Sequence, residues 1–409
     1  MSVDTAASTR TPEPPRRQAA ERRRVLGRIG ASLGRAWLAL AVYATVRAAG
    51  IGCVALGARH AGEHPRTRLG HYWDSLWYVG IAQHGYGTSR PSVTHPGLSF
   101  SDLAFFPLYP ALIRAVADIV PMSAVTAGLL IAWAAAGLAA WGIHAVGERL
   151  YGRRVALALV ALWGLLPHAV VESMAYTESL LTALEAWSLY ALLTGRWVSA
   201  GAFALCAGAT RPNGIAVAAA VCVCAAAEIR RRGGRTSWRV WAGAALSPLG
   251  WLGYAAWVGV RRGTWRGYLD VQADWGTYLD LGASGFRSAR SLIMGNGHPP
   301  HIMGSGHLAH YMALLVVGAS LISLVGLALR PPPLPLAVYT LVVVFIALAG
   351  ANYFASKPRF LLPAFPLLLP AALAMARARP RTAVLVGGAL AGLSCLYGTY
   401  LLTMATSPV

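Results

Sequence analysis

The chain has 409 residues, 56% of them hydrophobic and 12% charged, with a mean hydropathy of +0.52, which excludes an ordinary soluble domain. Repeated apolar runs of about 17–25 residues mark instead one polytopic membrane bundle. The formal net charge is +20, yet the arginines fall in short tracts between apolar runs, which suits membrane topology and excludes a nucleic-acid surface, where a basic stripe with interleaved aromatics is expected. The five cysteines, Cys53, Cys206, Cys222, Cys224 and Cys395, lie in apolar segments and imply neither a disulfide framework nor a zinc motif.

In chain order, residues 1–35 are polar, proline-containing and Arg-rich (PEPPRRQAAERRRVLGR) and are expected to form a disordered cytoplasmic tail, with a basic helix on anionic lipid near the first span. A signal peptide is disfavoured, because the following run is long and lacks a small-residue cleavage site. About eleven spans follow, at 36–58, 123–147, 154–170, 178–194, 197–211, 214–229, 240–260, 308–329, 334–350, 360–376 and 382–403, and residues 404–409 form a short tail. The expected fold class is all-α, a polytopic membrane bundle with interfacial helices in its first extracytoplasmic loop.

With the N-terminus inside, the loops at 149–154, 195–196, 229–239, 330 and 376–381 fall on the cytoplasmic side, and each is basic. This parity requires FFPLYPALIRAVADIV (105–120) not to cross. Its Pro107, Pro110, Arg114 and Asp118 suit an interfacial helix. Arg47 lies past the middle of the first span and is expected to snorkel to the outer interface.

The outer face collects the loops 59–122 and 261–307, the turn ESMAYTES (172–179), the break TRPNG (210–214) and ANYFASKPRF (351–360). Ionisable groups at membrane depth are costly, so a convergent set of them reads as a site, although polar loops alone would also supply some. Within HYWDSLWYVGIAQHGYG (71–87), Trp73, Leu76, Trp77, Gly80, Ile81 and His84 recur at helical spacing, and such a helix would lie flat on the bilayer. Asp74 and Tyr78, at i and i+4, flank that stripe. The carboxylate could serve as a proton acceptor beside apolar walls, or could simply cap the helix; spacing leaves both readings open.

The string YWDSLWYVGIAQHGYG resembles the first-loop motif of PIG-V-type mannosyltransferases, the GPI mannosyltransferase 2 family and its bacterial relatives among the GT-C glycosyltransferases. FFPLYPALIR (105–114), AYTESL (175–180), ATRPNGI (209–215) and KPRFLLPAFPLLLP (357–370) resemble the same family in the same order. Tyr72 stands where family members often carry an Arg. The resemblance implies a GT-C fold and inverting transfer of a sugar, usually mannose, from a polyprenyl-phosphate-linked donor on the extracytoplasmic face of a multi-pass protein of the bacterial plasma membrane. Asp74 would then be the general base.

The residues themselves ask for a related chemistry. Cations at helix ends suit an anionic lipid phosphate, and Arg211, Lys357 and Arg359, with Arg114 nearby, are the candidates. No Gly-rich phosphate loop or Rossmann pattern is present, so a lipid-linked donor is preferred to a nucleotide sugar. Glu172 and Glu178 are candidates for sugar hydroxyls, Glu178 alternatively as a helix cap. Trp73, Trp77, Tyr78, Tyr176, Asn213, Asp270, Gln272 and Trp275 complete the expected sugar and acceptor contacts, the acceptor being a lipid or glycan. His298, His301, His307 and His310 include i, i+3 pairs that could bind a metal but read as loop histidines. No cofactor is required, and a divalent cation stays open. The competing class is a transporter or lipid or sugar flippase, which an inverted repeat with paired helix breaks would favour; the sequence shows one Pro-Asn-Gly break. A structural or assembly subunit, in which Asp74 would be replaceable, is a third class.

Overall fold

The structure, a computed structural model, describes residues 15–91, 99–295, 307–351 and 353–405. All eleven apolar runs are helical. The chain opens with α1 (Pro15–His60), which begins inside the segment expected to be a tail, followed by three short helices of the first loop, α2 (Pro65–Gly70), α3 (Asp74–His84) and α4 (Leu108–Ile119). The bundle continues through α5 (Ala124–Tyr151), α6 (Arg153–Gly164), α7 (Glu178–Leu193), α8 (Trp197–Gly208), α9 (Ile215–Arg232), α10 (Trp238–Leu246) and α11 (Leu249–Arg262). After α12 (Gly267–Asp274) and α13 (Ala283–Met294) come α14 (His307–Leu329), α15 (Leu334–Ala349), α16 (Lys357–Leu361), α17 (Leu369–Arg377) and α18 (Pro380–Thr403). The only strands among the described residues form two small antiparallel pairs, β1 (Ser89–Pro91) with β2 (Ser99–Ser101) and β3 (Tyr278–Leu279) with β4 (Gly350–Ala351).

By length and composition, five described helices are long and apolar enough to cross a membrane, or seven if each of two sharply bent pairs is one span. The chain is a multi-pass membrane bundle. The other four expected spans coincide with α7, α8 and α15, of 16, 12 and 16 residues, and with α10 and α11, which break at Ser247-Pro248. Helix α4, the element expected to lie in the interface, has 12 residues, about 18 Å of helix.

The core lies where α5 packs along α6 and α7, α7 along α8, and α1 along α18. Ala132, Ala136, Ala139 and Ala140 of α5 are buried there, because small side chains let helix backbones approach closely where lipid supplies no hydrophobic drive. Three breaks between helices bear on the site. Pro167 follows α6 and bends the chain by 84° into the turn Pro167–Ser173; Pro363 and Pro366 lie in an 85° bend between α16 and α17; Arg211–Gly214 separates α8 from α9. Broken helices are tolerated at membrane depth where protein satisfies the freed backbone. Arg47 does this at the first break: it is buried, donates to the Ala169 carbonyl and reaches Ser394 Oγ at 3.5 Å. It therefore does not snorkel, because the carbonyls freed by the Pro167 bend lie within its reach.

Candidate functional site

Each of the three breaks delivers charged side chains, and helix α3 brings one more to the same place. The turn after Pro167–Ser173 leads into Glu178 at the start of α7, the break before α9 carries Arg211, and α16 carries Arg359. Gly214 makes the Arg211 break possible, since a Cβ there would lie 2.2 Å from the Ala207 carbonyl oxygen. Trp73 precedes α3 with φ 51, a conformation strained for a bulky residue, of the kind held in place at functional sites.

Arg359 bridges two carboxylates. Its Nη2 donates to Asp74 Oδ2 at 2.5 Å and its Nε lies 2.8 Å from Glu178 Oε1. Arg211 Nη1 donates to the same Glu178 oxygen at 2.5 Å and to Thr177 Oγ1 at 3.1 Å. Both guanidiniums lie over the Phe360 ring, Arg211 at 5.3 Å and Arg359 at 5.4 Å. The side chain of Glu178 is 1% exposed, those of Arg359 and Arg211 are 7% and 8%, and that of Asp74, at 17%, is the most open of the four. Two carboxylates and two guanidiniums cancel, which allows the cluster to be buried. Glu178 Oε2 is buried with no hydrogen-bond partner among the described residues.

Neither carboxylate is a helix cap. Trp73 and Thr177 occupy the N-cap positions of α3 and α7, neither makes a side-chain cap bond, and Asp74 and Glu178, one residue further on, turn toward the arginines. The ions outcompete capping because buried guanidiniums leave no cheaper partner for a carboxylate.

Tyrosines and tryptophans frame the cluster. The Asp74 backbone N–H donates to Tyr176 Oη at 3.2 Å, and the Arg359 guanidinium lies over the Tyr176 ring at 5.1 Å. Tyr78 Oη and Thr177 Oγ1 are 3.1 Å apart, and burial pushes the Tyr78 phenol up to about 12, so it stays protonated. The buried residues of α3 are Ser75, Tyr78, Val79, Ile81 and Ala82, and of the Trp73/Leu76/Trp77/Gly80/Ile81/His84 stripe read from spacing only Ile81 is buried within the protein. Tyr78 packs edge-on against Phe105 and Tyr109, which fixes the rotation of the helix. Trp77 instead stacks on Phe105 and meets Trp275 edge-on, while Arg90 lies over the Trp77 ring at 5.2 Å.

Several expected site residues lie elsewhere. Lys357, two residues before Arg359, points the opposite way: its Nζ donates to the carbonyls of Ala347 at 2.9 Å and Gly350 at 3.0 Å, satisfying the C-terminal end of α15. Arg114 is on the surface, 3.9 Å from Asp118. Glu172 accepts from Tyr43 Oη at 2.8 Å inside the bundle, and Asp270 is exposed on α12. Asn213 is buried within the Arg211 break. Gln272 and Trp275 donate to the carbonyls of Ala104 and Ser101, so they hold the first-loop wall in place. Tyr72 lies tilted against Trp73, with the Arg68 guanidinium over its ring at 4.5 Å. Thr177, Phe360, Phe105 and Arg90 belong to this region and were not anticipated; nothing but their membership in the quoted motifs and loops pointed to them.

Among the described residues no group of three or more His, Cys, Asp or Glu could hold a metal ion. His298 and His301 lie outside the described residues, as does the His307 side chain.

No protein-family model and no curated protein matches the sequence. By structure the chain is similar to the oligosaccharyltransferase of Archaeoglobus fulgidus in its apo form, at 14% identity and a TM-score of 0.52, covering 91% of this chain and 56% of that one. It is likewise similar to ArnT of Cupriavidus metallidurans bound to undecaprenyl phosphate, at 15% identity and a TM-score of 0.50, covering 88% and 63%. The chain thus spans less than two thirds of the length of either. The fold is that of these two solved structures.

Proposed function

We propose that the chain is a membrane glycosyltransferase that transfers a sugar, mannose, from a polyprenyl-phosphate-linked donor to an acceptor hydroxyl on the extracytoplasmic face, with inversion. The observation that carries this reading is the Asp74–Arg359–Glu178–Arg211 cluster, a partly open carboxylate joined through two buried guanidiniums to a second carboxylate with an unused oxygen. Asp74 takes the proton of the acceptor hydroxyl as that oxygen attacks the sugar C1. The bond from C1 to the phosphate oxygen breaks on the opposite side, and the lipid phosphate leaves with the electron pair. A positioned base of this kind contributes on the order of 10²–10⁴ in rate.

Negative charge grows on the departing phosphate, so the planar donors of Arg359 and Arg211 stabilise the transition state more than the ground state. Glu178 Oε2 accepts a sugar hydroxyl, which satisfies the orphaned oxygen. Trp73 and Trp77 supply ring faces for the sugar, Tyr176 lies beneath Arg359, and Tyr78 orders Thr177 behind Arg211. The structural neighbour that was captured with undecaprenyl phosphate supports a polyprenyl-phosphate ligand. Mannose is supported by the motif resemblance.

The test is reconstitution of the purified protein in vesicles with polyprenyl-phosphate-mannose and a panel of acceptor lipids, wild type beside Asp74→Asn. Transfer by wild type and its loss in the variant are expected. Equal transfer by both proteins would remove Asp74 from the role of base. Passage of the lipid phosphate across the bilayer, with no transfer to any acceptor, would favour a flippase.

A further inference from the structure

One buried carboxyl group has no part in the chemistry above. Glu185 lies in the middle of α7 and is fully buried, and an ionisable group at membrane depth is costly enough to mark a function by default. Seven residues are almost two helical turns, about 10 Å of rise, so Glu185 shares a face of α7 with Glu178 of the charged cluster. Its Oε2 lies 2.7 Å from Tyr339 Oη of α15, and the same phenol oxygen lies 2.8 Å from the Pro363 carbonyl oxygen. Pro363 sits in the 85° bend between α16 and α17, four residues after Arg359.

A phenol has one proton to give. Donated to Pro363, it leaves the contact with Glu185 to be donated by the carboxyl group. Donated to a Glu185 carboxylate, it leaves the phenol oxygen facing the carbonyl oxygen with no proton between them. Both short contacts are hydrogen bonds only when Glu185 carries a proton and gives it to the phenol. Glu185 Oε1 is buried without a partner among the described residues, which costs less for a neutral carboxyl than for a carboxylate.

Tyr339 alone would satisfy the Pro363 carbonyl, as Trp163 Nε1 satisfies the Leu362 carbonyl beside it at 3.2 Å. What Glu185 adds is a fixed phenol. The segment that carries Arg359 is thereby tied to α7 at two heights: Glu178 Oε1 lies 2.8 Å from Arg359 Nε, and Glu185 reaches Pro363 through Tyr339. Two ties set both the distance of α16 from α7 and its rotation, and so where the Arg359 guanidinium stands between Asp74 and Glu178. We infer that Glu185, as a neutral hydrogen-bond donor, is a positioning residue that holds Arg359 in register with Asp74 and Glu178 through Tyr339 and the Pro363 carbonyl. This rests on the reading of Arg359 as a lipid-phosphate ligand and adds to it the group that sets the guanidinium.

Glu185→Gln keeps the shape and an N–H donor, whereas Glu185→Leu keeps the bulk and loses the donor. In detergent micelles, polyprenyl-phosphate binding should be within about twofold of wild type for Glu185→Gln and about tenfold weaker for Glu185→Leu, a difference of about 1.4 kcal/mol. In an Arg359→Gln background Glu185→Leu should have no further effect, because the guanidinium it acts through is gone. The infrared difference spectrum of wild type minus Glu185→Gln should contain the carbonyl stretch of a protonated carboxylic acid. A carboxylate band in its place, equal binding by Glu185→Leu and wild type, or the same loss with and without Arg359 would overturn the inference. Should Glu185→Leu fail to fold, Tyr339→Phe breaks the same chain one step later and takes its place in each comparison. Absence of polyprenyl-phosphate binding in wild type would sink the lipid-phosphate reading alone. The positioning role is then read from unfolding titrations, in which Glu185→Leu and Arg359→Gln should depart from additivity by more than about twofold in the unfolding constant, the scatter of independent sites. Additivity within that scatter would overturn it.

Discussion

Replacing Arg359 by Gln tests the cluster most directly, because one guanidinium serves two carboxylates through different nitrogens, Nη2 to Asp74 and Nε to Glu178. The wild-type cluster is neutral. Arg359→Gln leaves two carboxylates against the single charge of Arg211, and Asp74 loses its ion-pair partner. Removing one member of a buried ion pair costs about 3–5 kcal/mol, although the 17% exposure of the Asp74 side chain moves the expected loss to the lower end. Binding of polyprenyl phosphate should fall about 10- to 100-fold, since a charge-assisted contact of about 1.5–3 kcal/mol disappears and an uncompensated negative charge remains. Arg359→Gln with Asp74→Asn restores neutrality, leaving Glu178 paired with Arg211 at 2.5 Å. The double variant should regain on the order of 1–3 kcal/mol over the single one. Stability followed by tryptophan fluorescence in detergent, and lipid-phosphate binding in the same micelles, complete the cycle. A single variant less than about 1 kcal/mol destabilised, or additive losses in the double, would refute a coupled buried cluster.

Lys357→Met should lower stability by about 2 kcal/mol by abandoning the carbonyls of α15. It should leave polyprenyl-phosphate affinity within about twofold, and a larger loss in a binding titration would return Lys357 to the donor site. Glu178→Gln keeps the shape of the side chain but leaves Arg211 without its ion-pair partner, so an unfolding titration should show a loss of about 3 kcal/mol. Gly214→Ala places a methyl group 2.2 Å from the Ala207 carbonyl and should cost at least about 1–3 kcal/mol, read as a lowered Tm in detergent.

The apolar runs were legible because hydrocarbon tolerates few polar side chains, and each of the eleven coincides with a helix or a pair of helices. The breaks were less so. Pro-Asn-Gly announced one, but the 84° bend at Pro167 and the 85° bend between α16 and α17 lie inside runs whose hydropathy hides them. The α3 helix was legible as a period, whereas the contacts that seat it were not, since Tyr78 packs on Phe105 and Tyr109, about 30 residues away. Asp74, Glu178, Arg211 and Arg359 could each be singled out as charges at helix ends. Their pairing could not, because a contact across 285 residues, such as Arg359 to Asp74, leaves no local pattern. Glu172 looked equivalent to Glu178, and only the position of Tyr43 separates an interior hydrogen bond from the charged cluster.

The sequence Lys357-Pro358-Arg359-Phe360 shows how one short helix can serve both structure and chemistry. Residues two apart on a helix lie about 200° apart around its axis, so the two cations cannot face the same way. One is taken by the carbonyls where α15 ends, and the other by the carboxylates where α3 and α7 begin. Phe360 lies near both guanidiniums of the cluster, which Glu178 Oε1 draws together. A phosphate entering this cluster would meet guanidiniums already oriented by carboxylates, so little would need to move to receive it. The charge it brought would be the one the resting cluster has no group to balance, which ties occupancy of the site to loosening of the Arg359–Asp74 contact. On the transferase reading that loosening frees the Asp74 carboxylate for the acceptor proton only once donor is present.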